Sequence, residues 1–127
     1  MYKKIISVVF IICSIGSVNA SEYLSEAEIK ALFSGQSWDV RNVVKGKDVE
    51  GYATADGEHY IYIPWKDKVS TRKWWTEGDT HCTSHPKRGD NCKKMKHMGD
   101  GVYHGFSDGE LTHILKNFAE GPRSWFN

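Results

Sequence analysis

Cys82 and Cys92, separated by ten positions and accompanied by His81 and His85, are the residues in this chain whose types and spacing carry a defined chemistry. Two thiols and two imidazoles suit either a disulfide beside solvated histidines or a metal site. A zinc site requires thiolates that stay reduced, whereas an exported chain meets an oxidising environment that joins them. The choice therefore turns on compartment, and the N-terminus points to export. We expect a Cys82–Cys92 disulfide, no metal centre and no cofactor. Closing so short a loop removes roughly 3 kcal/mol of unfolded-state freedom in the chain-entropy description.

Other groups with chemical potential are more dispersed. Six histidines are spread from His59 to His113 and cluster only as His81-x-x-x-His85, a distribution expected of solvated side chains. No G-x-S-x-G, H-E-x-x-H or comparable signature places a nucleophile, a base or a ligand set. A non-enzymatic role is expected. Tyr60-Ile61-Tyr62-Ile63-Pro64-Trp65 alternates tyrosine with aliphatic residues, so as a strand it has no polar face, and Trp74 and Trp75 point to opposite sides of theirs. Tyr60, Tyr62 and Trp75 form the candidate ligand surface, flat rings with polar edges suited to an apolar or sugar-like molecule. The competing assignment has these rings bracing the sheet or packing under a helix. Lys87, Arg88, Lys93, Lys94 and Lys96, with His85 and His97 beside them, form a candidate partner patch around the cysteine loop. Its structural counterpart is a solvated loop and an edge strand protected by lysines.

Lys3 and Lys4 precede a mostly apolar run from Ile5 to Val18 that ends in small residues, with Val18 and Ala20 three and one before a polar start at Ser21. This is the anatomy of a cleavable secretory signal. The run is shorter than the roughly 20 apolar residues a span requires and is broken by Ser14, Gly16 and Ser17. We expect a signal peptide over 1–20, cleavage near Ala20, a single β-rich domain over 21–127, and a periplasmic or secreted destination. Loss of Lys3 and Lys4 leaves 15 basic against 16 acidic residues, a net charge of −1 that favours neither nucleic acid nor a membrane surface as partner.

Elements able to position these groups follow from punctuation and periodicity. Ser25 and Glu28 stand at capping-box spacing, Leu24 and Ile29 at staple positions, and Ile29, Leu32 and Phe33 give one apolar face before Gly35. A helix over 24–35 is expected. The remainder is rich in β-branched and aromatic residues cut by Asp56-Gly57, Gly99-Asp100-Gly101 and Asp108-Gly109, which predicts strands near 37–44, 48–55, 58–65, 69–76, 92–98, 101–106 and 110–118. The last segment also satisfies a helical pattern, because Leu111, Ile114, Leu115 and Phe118 have that spacing and Gly121-Pro122 would end it. Strand is preferred on the strength of the Asp108-Gly109 hairpin signal, with a C-terminal helix near 108–119 as the alternative.

Taken together, Leu24-Ser25-x-x-Glu28-Ile29-x-x-Leu32-Phe33-x-Gly35, Asp56-Gly57, Trp74 eight before Cys82, then Cys92, Asp108-Gly109 and Gly121 make the chain resemble a group of small exported proteobacterial proteins of unknown function. Arg72 stands where that group usually has a glycine. The resemblance implies export and a helix preceding a curved, lipocalin-like antiparallel sheet with one cysteine pair; it brings no activity. The expected architecture is thus mainly β, an N-terminal amphipathic helix on an antiparallel meander or small barrel-like sheet. The expected function is an envelope binding module for a small molecule or another exported protein. The alternative is an inhibitor or immunity-type protein that inserts its basic disulfide loop into an acidic site. An enclosed aromatic-lined pocket favours the first, a solid core with a protruding 83–91 loop the second.

Overall fold

Ser25 starts the only α-helix among the residues described by the computed structural model, 22–126. The signal-peptide assignment over 1–20 falls outside them. In α1 (Glu26–Phe33) the Ser25 hydroxyl oxygen accepts from the Glu28 N–H at 3.2 Å, and the Glu28 carboxylate accepts from the Ser25 N–H at 2.8 Å. This reciprocal box satisfies two amides that a helix start leaves free. Ile29 and Phe33, one turn apart, are buried, and Leu24 and Leu32 pack against the same core. Gly35, at φ +72°, then turns the chain into the sheet.

Eight strands follow: β1 (Gln36–Asn42), β2 (Lys47–Ala53), β3 (Glu58–Ile63), β4 (Lys68–Glu77), β5 (Thr80–Thr83), β6 (Asn91–Gly99), β7 (Val102–Ser107) and β8 (Glu110–Glu120). Each pairs antiparallel with the next, and β8 returns to pair with β1, closing a barrel. The expected mainly-β architecture with one helix and one disulfide is the one observed. The sheet has one strand more than the sequence suggests, because β5 is only four residues long and carries a histidine and a cysteine in place of a β-branched run. Closure also removes edges, so the lysines of β6 guard no edge strand.

The 110–118 segment is strand, and the alternative helix does not form. Two bulges explain why its pattern imitates one. Opposite β7 the register slips between Gly105 and Phe106, so that Thr112 is the extra residue between Leu111 and His113. Opposite β1 it slips again between Ser37 and Asp39, at Asn117, which has φ +58°. Each bulge shifts the two-residue alternation by one. The result is a spacing of three and four in a strand that contributes Leu115 and Phe118 to the core. Asp108 and Gly109, at φ +52° and +81°, form the tight turn between β7 and β8 that their sequence signals.

α1 closes one end of the barrel. There Phe33 meets Trp38 edge-on at 4.9 Å between ring centroids and Phe118 at 5.8 Å, while Trp38 stacks on Phe118 at 5.4 Å. Trp74 joins this cluster and donates its indole N–H to the Thr54 carbonyl at 2.8 Å. Cys82 and Cys92 are cross-strand neighbours on β5 and β6 and are disulfide-bonded. No helix among the described residues is long and apolar enough to cross a membrane.

Candidate functional site

Beyond the aromatic cluster that α1 covers, the barrel is hollow. A cavity of about 530 Å³ occupies the other half and is lined by inward-facing residues of β1 to β6 and β8. Eight-stranded barrels sit at the size where side chains either fill the interior or leave room for one small ligand. Here space is left. A Cβ at Gly105 would stand 3.4 Å from Lys93 Cδ and 3.5 Å from Met95 Sδ, in ordinary contact with the Lys93 stem.

The lining is two-sided. Val40, Val49, Ile61 and Ile63, from β1, β2 and β3, make an apolar wall, with Trp38, Met95 and Leu115 toward the closed end. Arg72, Thr83, His81 and Lys93, from β4, β5 and β6, make a polar and cationic wall, to which β3 adds His59 and β8 adds His113. At the mouth lie Lys45, Lys47, Trp65 and the 84–90 connection with His85, Arg88 and Asp90. Asp90 is the one acidic residue among these lining residues.

Three histidines expected in solvent are inside. His59 and His81 are 6 % and 3 % exposed, and Lys93 is 9 % exposed. The alternation of β3, β5 and β8 turns them inward; their residue type argued the other way, and only barrel closure decides it. His81 stacks on Phe33 at 4.0 Å and is the cross-strand neighbour of Lys93. Among the described residues no hydrogen-bond partner reaches either ring nitrogen of His81, Nδ1 of His59 or Nε of Arg72. Nor does any carboxylate pair with Arg72 or Lys93.

The electrostatics follow from burial without counter-charge. Burial, reinforced by the charges of Lys93 and Arg72, pushes the His59 imidazole down to about 3. Burial and then Lys93 push His113 down to about 3, and burial holds His81 well below its ordinary value. These rings are neutral at physiological pH. Lys93 is lowered to about 8 by burial and by Arg72, and Arg72 is itself lowered by burial and by Arg88. At neutral pH the wall holds two cations and three neutral imidazoles.

The candidate residues chosen from sequence fall elsewhere. Tyr60 and Tyr62 lie on the outer face of β3, where the chain's own C-terminal segment covers them: Phe126 packs edge-on against Tyr60 at 4.8 Å and Tyr52 at 4.9 Å, and Trp125 stacks on Tyr62 at 5.3 Å. Trp75 is half-buried beside the disulfide as the β4 neighbour of Cys82, and its N–H is held by Glu77. It does not join the tyrosines. The basic group divides as well. Lys93 points into the cavity, Arg88 reaches its mouth, and Lys94 and Lys96 lie outside over the Tyr23 ring at 5.1 and 4.9 Å. Lys87 is exposed on the 84–90 connection. The Glu77 carboxylate lies beside the sulfurs of the buried Cys82 and the half-buried Cys92, but those sulfurs are joined in the disulfide.

Sequence reasoning missed Arg72, Trp65, His59, His81 and His113 as lining residues. For His59 and Arg72 the signal was period-two alternation with Ile61 and Ile63 on β3 and with Trp74 on β4; for His81 and His113 it was masked by the shortness of β5 and by the bulge at Thr112. The fold and site together define a closed antiparallel barrel with an internal, two-sided cavity. Comparison with known families, curated proteins and solved structures finds no match for the chain.

Proposed function

We propose that the mature chain is an exported, non-enzymatic binding module that takes a small, partly apolar molecule into its barrel. The observation that carries this reading is the 530 Å³ cavity with an aliphatic wall and an open mouth, a volume within the range of roughly 300–1,000 Å³ common to small-molecule sites. The cavity replaces the outer aromatic surface as the proposed ligand site, since Tyr60 and Tyr62 are occupied by Phe126 and Trp125. It also weighs against the inhibitor reading, which requires a solid core and an outward basic patch that includes Lys93. Export is supported by the signal-like N-terminus and by the disulfide, and mass spectrometry of the processed protein should show an N-terminus at Ser21.

The neutral dye N-phenylnaphthylamine, whose fluorescence rises in apolar surroundings, tests the cavity. Enhancement by the folded protein should fall in Ile61→Phe, which fills the aliphatic wall, and persist in Tyr60→Ala, which alters the outer face. Persistence in the first with loss in the second would return the site to the outside and overturn the proposal.

A further inference from the structure

The cavity wall poses an electrostatic problem that the described residues do not solve among themselves. Arg72 and Lys93 face a shared interior space, and Lys93 is nine-tenths buried. Three neutral imidazoles surround them, and two of these, His59 and His81, carry ring nitrogens that no group among the described residues satisfies. Buried charges are ordinarily paired, since removing one from water without a partner is costly. The protein has many carboxylates, yet those nearest in kind are spent outside: Asp39 and Glu50 bind Arg123, and Glu58 binds Lys73. Asp90, at the mouth, forms no ion pair with either cation.

Resting on the cavity as the binding site, we propose that its ligand is an amphiphilic anion, with an acidic headgroup seated between Arg72 and Lys93 and an apolar body against Val40, Val49, Ile61 and Ile63. The anion supplies the missing counter-charge. A planar guanidinium and a lysine ammonium match oxygen acceptors, while neutral histidines at His59 and His81 offer N–H donors without adding charge. The aliphatic wall lies opposite the cations, so one molecule reaches both only if it is itself two-sided. Trp65, at the mouth and half-exposed, extends the apolar side outward. A sugar, which lacks a charged head and an aliphatic body, fits this wall poorly, and a cation is excluded by like charge.

Four straight-chain probes of equal length separate the alternatives: decanoate, decyl phosphate, decanol and decylamine, each titrated by calorimetry against the mature protein. Decanoate or decyl phosphate should bind, decanol should bind roughly tenfold or more weakly, and decylamine weakest of all. The ratio between the two anions identifies a carboxylate or a phosphate head. Arg72→Met and Lys93→Met keep side-chain length and remove charge; each should weaken the better anion by roughly ten- to a hundredfold and so narrow or abolish its advantage over decanol. A cooperative thermal melt shows that each variant is folded. Equal binding of decanol and both anions, or anion binding indifferent to both substitutions, overturns the anionic ligand while leaving the cavity reading intact. Failure of all four probes, together with loss of the dye response, overturns both.

Discussion

Trp38 on β1 and Gly51 on β2 face each other across the sheet so closely that the indole occupies the place of a side chain at 51: a Cβ there would stand 2.6 Å from two carbons of the ring. This contact sets the floor of the cavity, because Trp38 also stacks on Phe118 and borders the empty half of the barrel. Gly51→Ala should destabilise the protein by about 1–3 kcal/mol, the usual range for forcing an extra carbon into a packed core. Chemical denaturation of the single variant and of Gly51→Ala with Trp38→Phe should reveal coupling, the smaller ring recovering part of the loss. Additive effects would show that the two do not share the space.

The disulfide closes a short loop between neighbouring strands, next to Trp75 and at the base of the 84–90 connection. Thiol titration of the native protein should detect no free sulfhydryl among residues 21–127. Replacing both Cys82 and Cys92 by Ala should lower unfolding free energy by roughly 3 kcal/mol. An unchanged denaturation midpoint would assign the bond no stabilising role.

Acid stability should report the buried histidines. His59 and His113 titrate at about 6.5 unfolded and about 3 folded. Between those values the unfolded chain binds more protons, so stability falls as pH drops below about 6.5 and the penalty is complete below about 3. Thermal melts across that window should show an early loss that His59→Gln and His113→Gln each reduce. Lys93, lowered to about 8 from 10.5, acts at the alkaline end: its cost is present below about 8 and relieved as pH rises toward 10.5. Lys93→Met should therefore raise the melting temperature at neutral pH while weakening anion binding.

On the outer wall, Arg123 bonds the carboxylates of Asp39 and Glu50 and the carbonyl of Asn117, fastening the C-terminal segment over β1 to β3. Arg123→Ala should cost about 1–2 kcal/mol, since the charge-assisted bonds are partly shielded from water. It should also increase the reactivity of Tyr60 and Tyr62 toward nitration as Trp125 and Phe126 lift away. Unaltered tyrosine reactivity would mean that aromatic packing and the Trp125 N–H bond to Glu50, at 2.9 Å, hold the segment without Arg123.

Local chemistry made much of the framework legible. The capping box of Ser25 and Glu28, the Asp-Gly turns and the cysteine pair act between residues close in sequence or on adjacent strands, so their signals survive without knowledge of the whole. The strand at 110–120 was harder to read because bulges at Thr112 and Asn117 convert a two-residue period into a helix-like one. β5 escaped because four residues are too few to show a period. In each case the missing information is register against a neighbouring strand, which no short window contains.

The candidate site shows the division most clearly. The sequence by itself determined that tyrosines, tryptophans, histidines and lysines were present in strands, and that successive residues would face opposite ways. Which way was inward depended on closure, when β8 met β1 and turned one face of every strand into an interior. Closure placed Lys93 apart from Lys94 and Lys96, took His59, His81 and His113 out of solvent, and left Tyr60 and Tyr62 outside under the chain's own C-terminal segment. Alternation is a local property of extended backbone, whereas inside and outside exist only once the sheet joins itself, and so the cavity with its uncompensated charge is a product of tertiary structure alone.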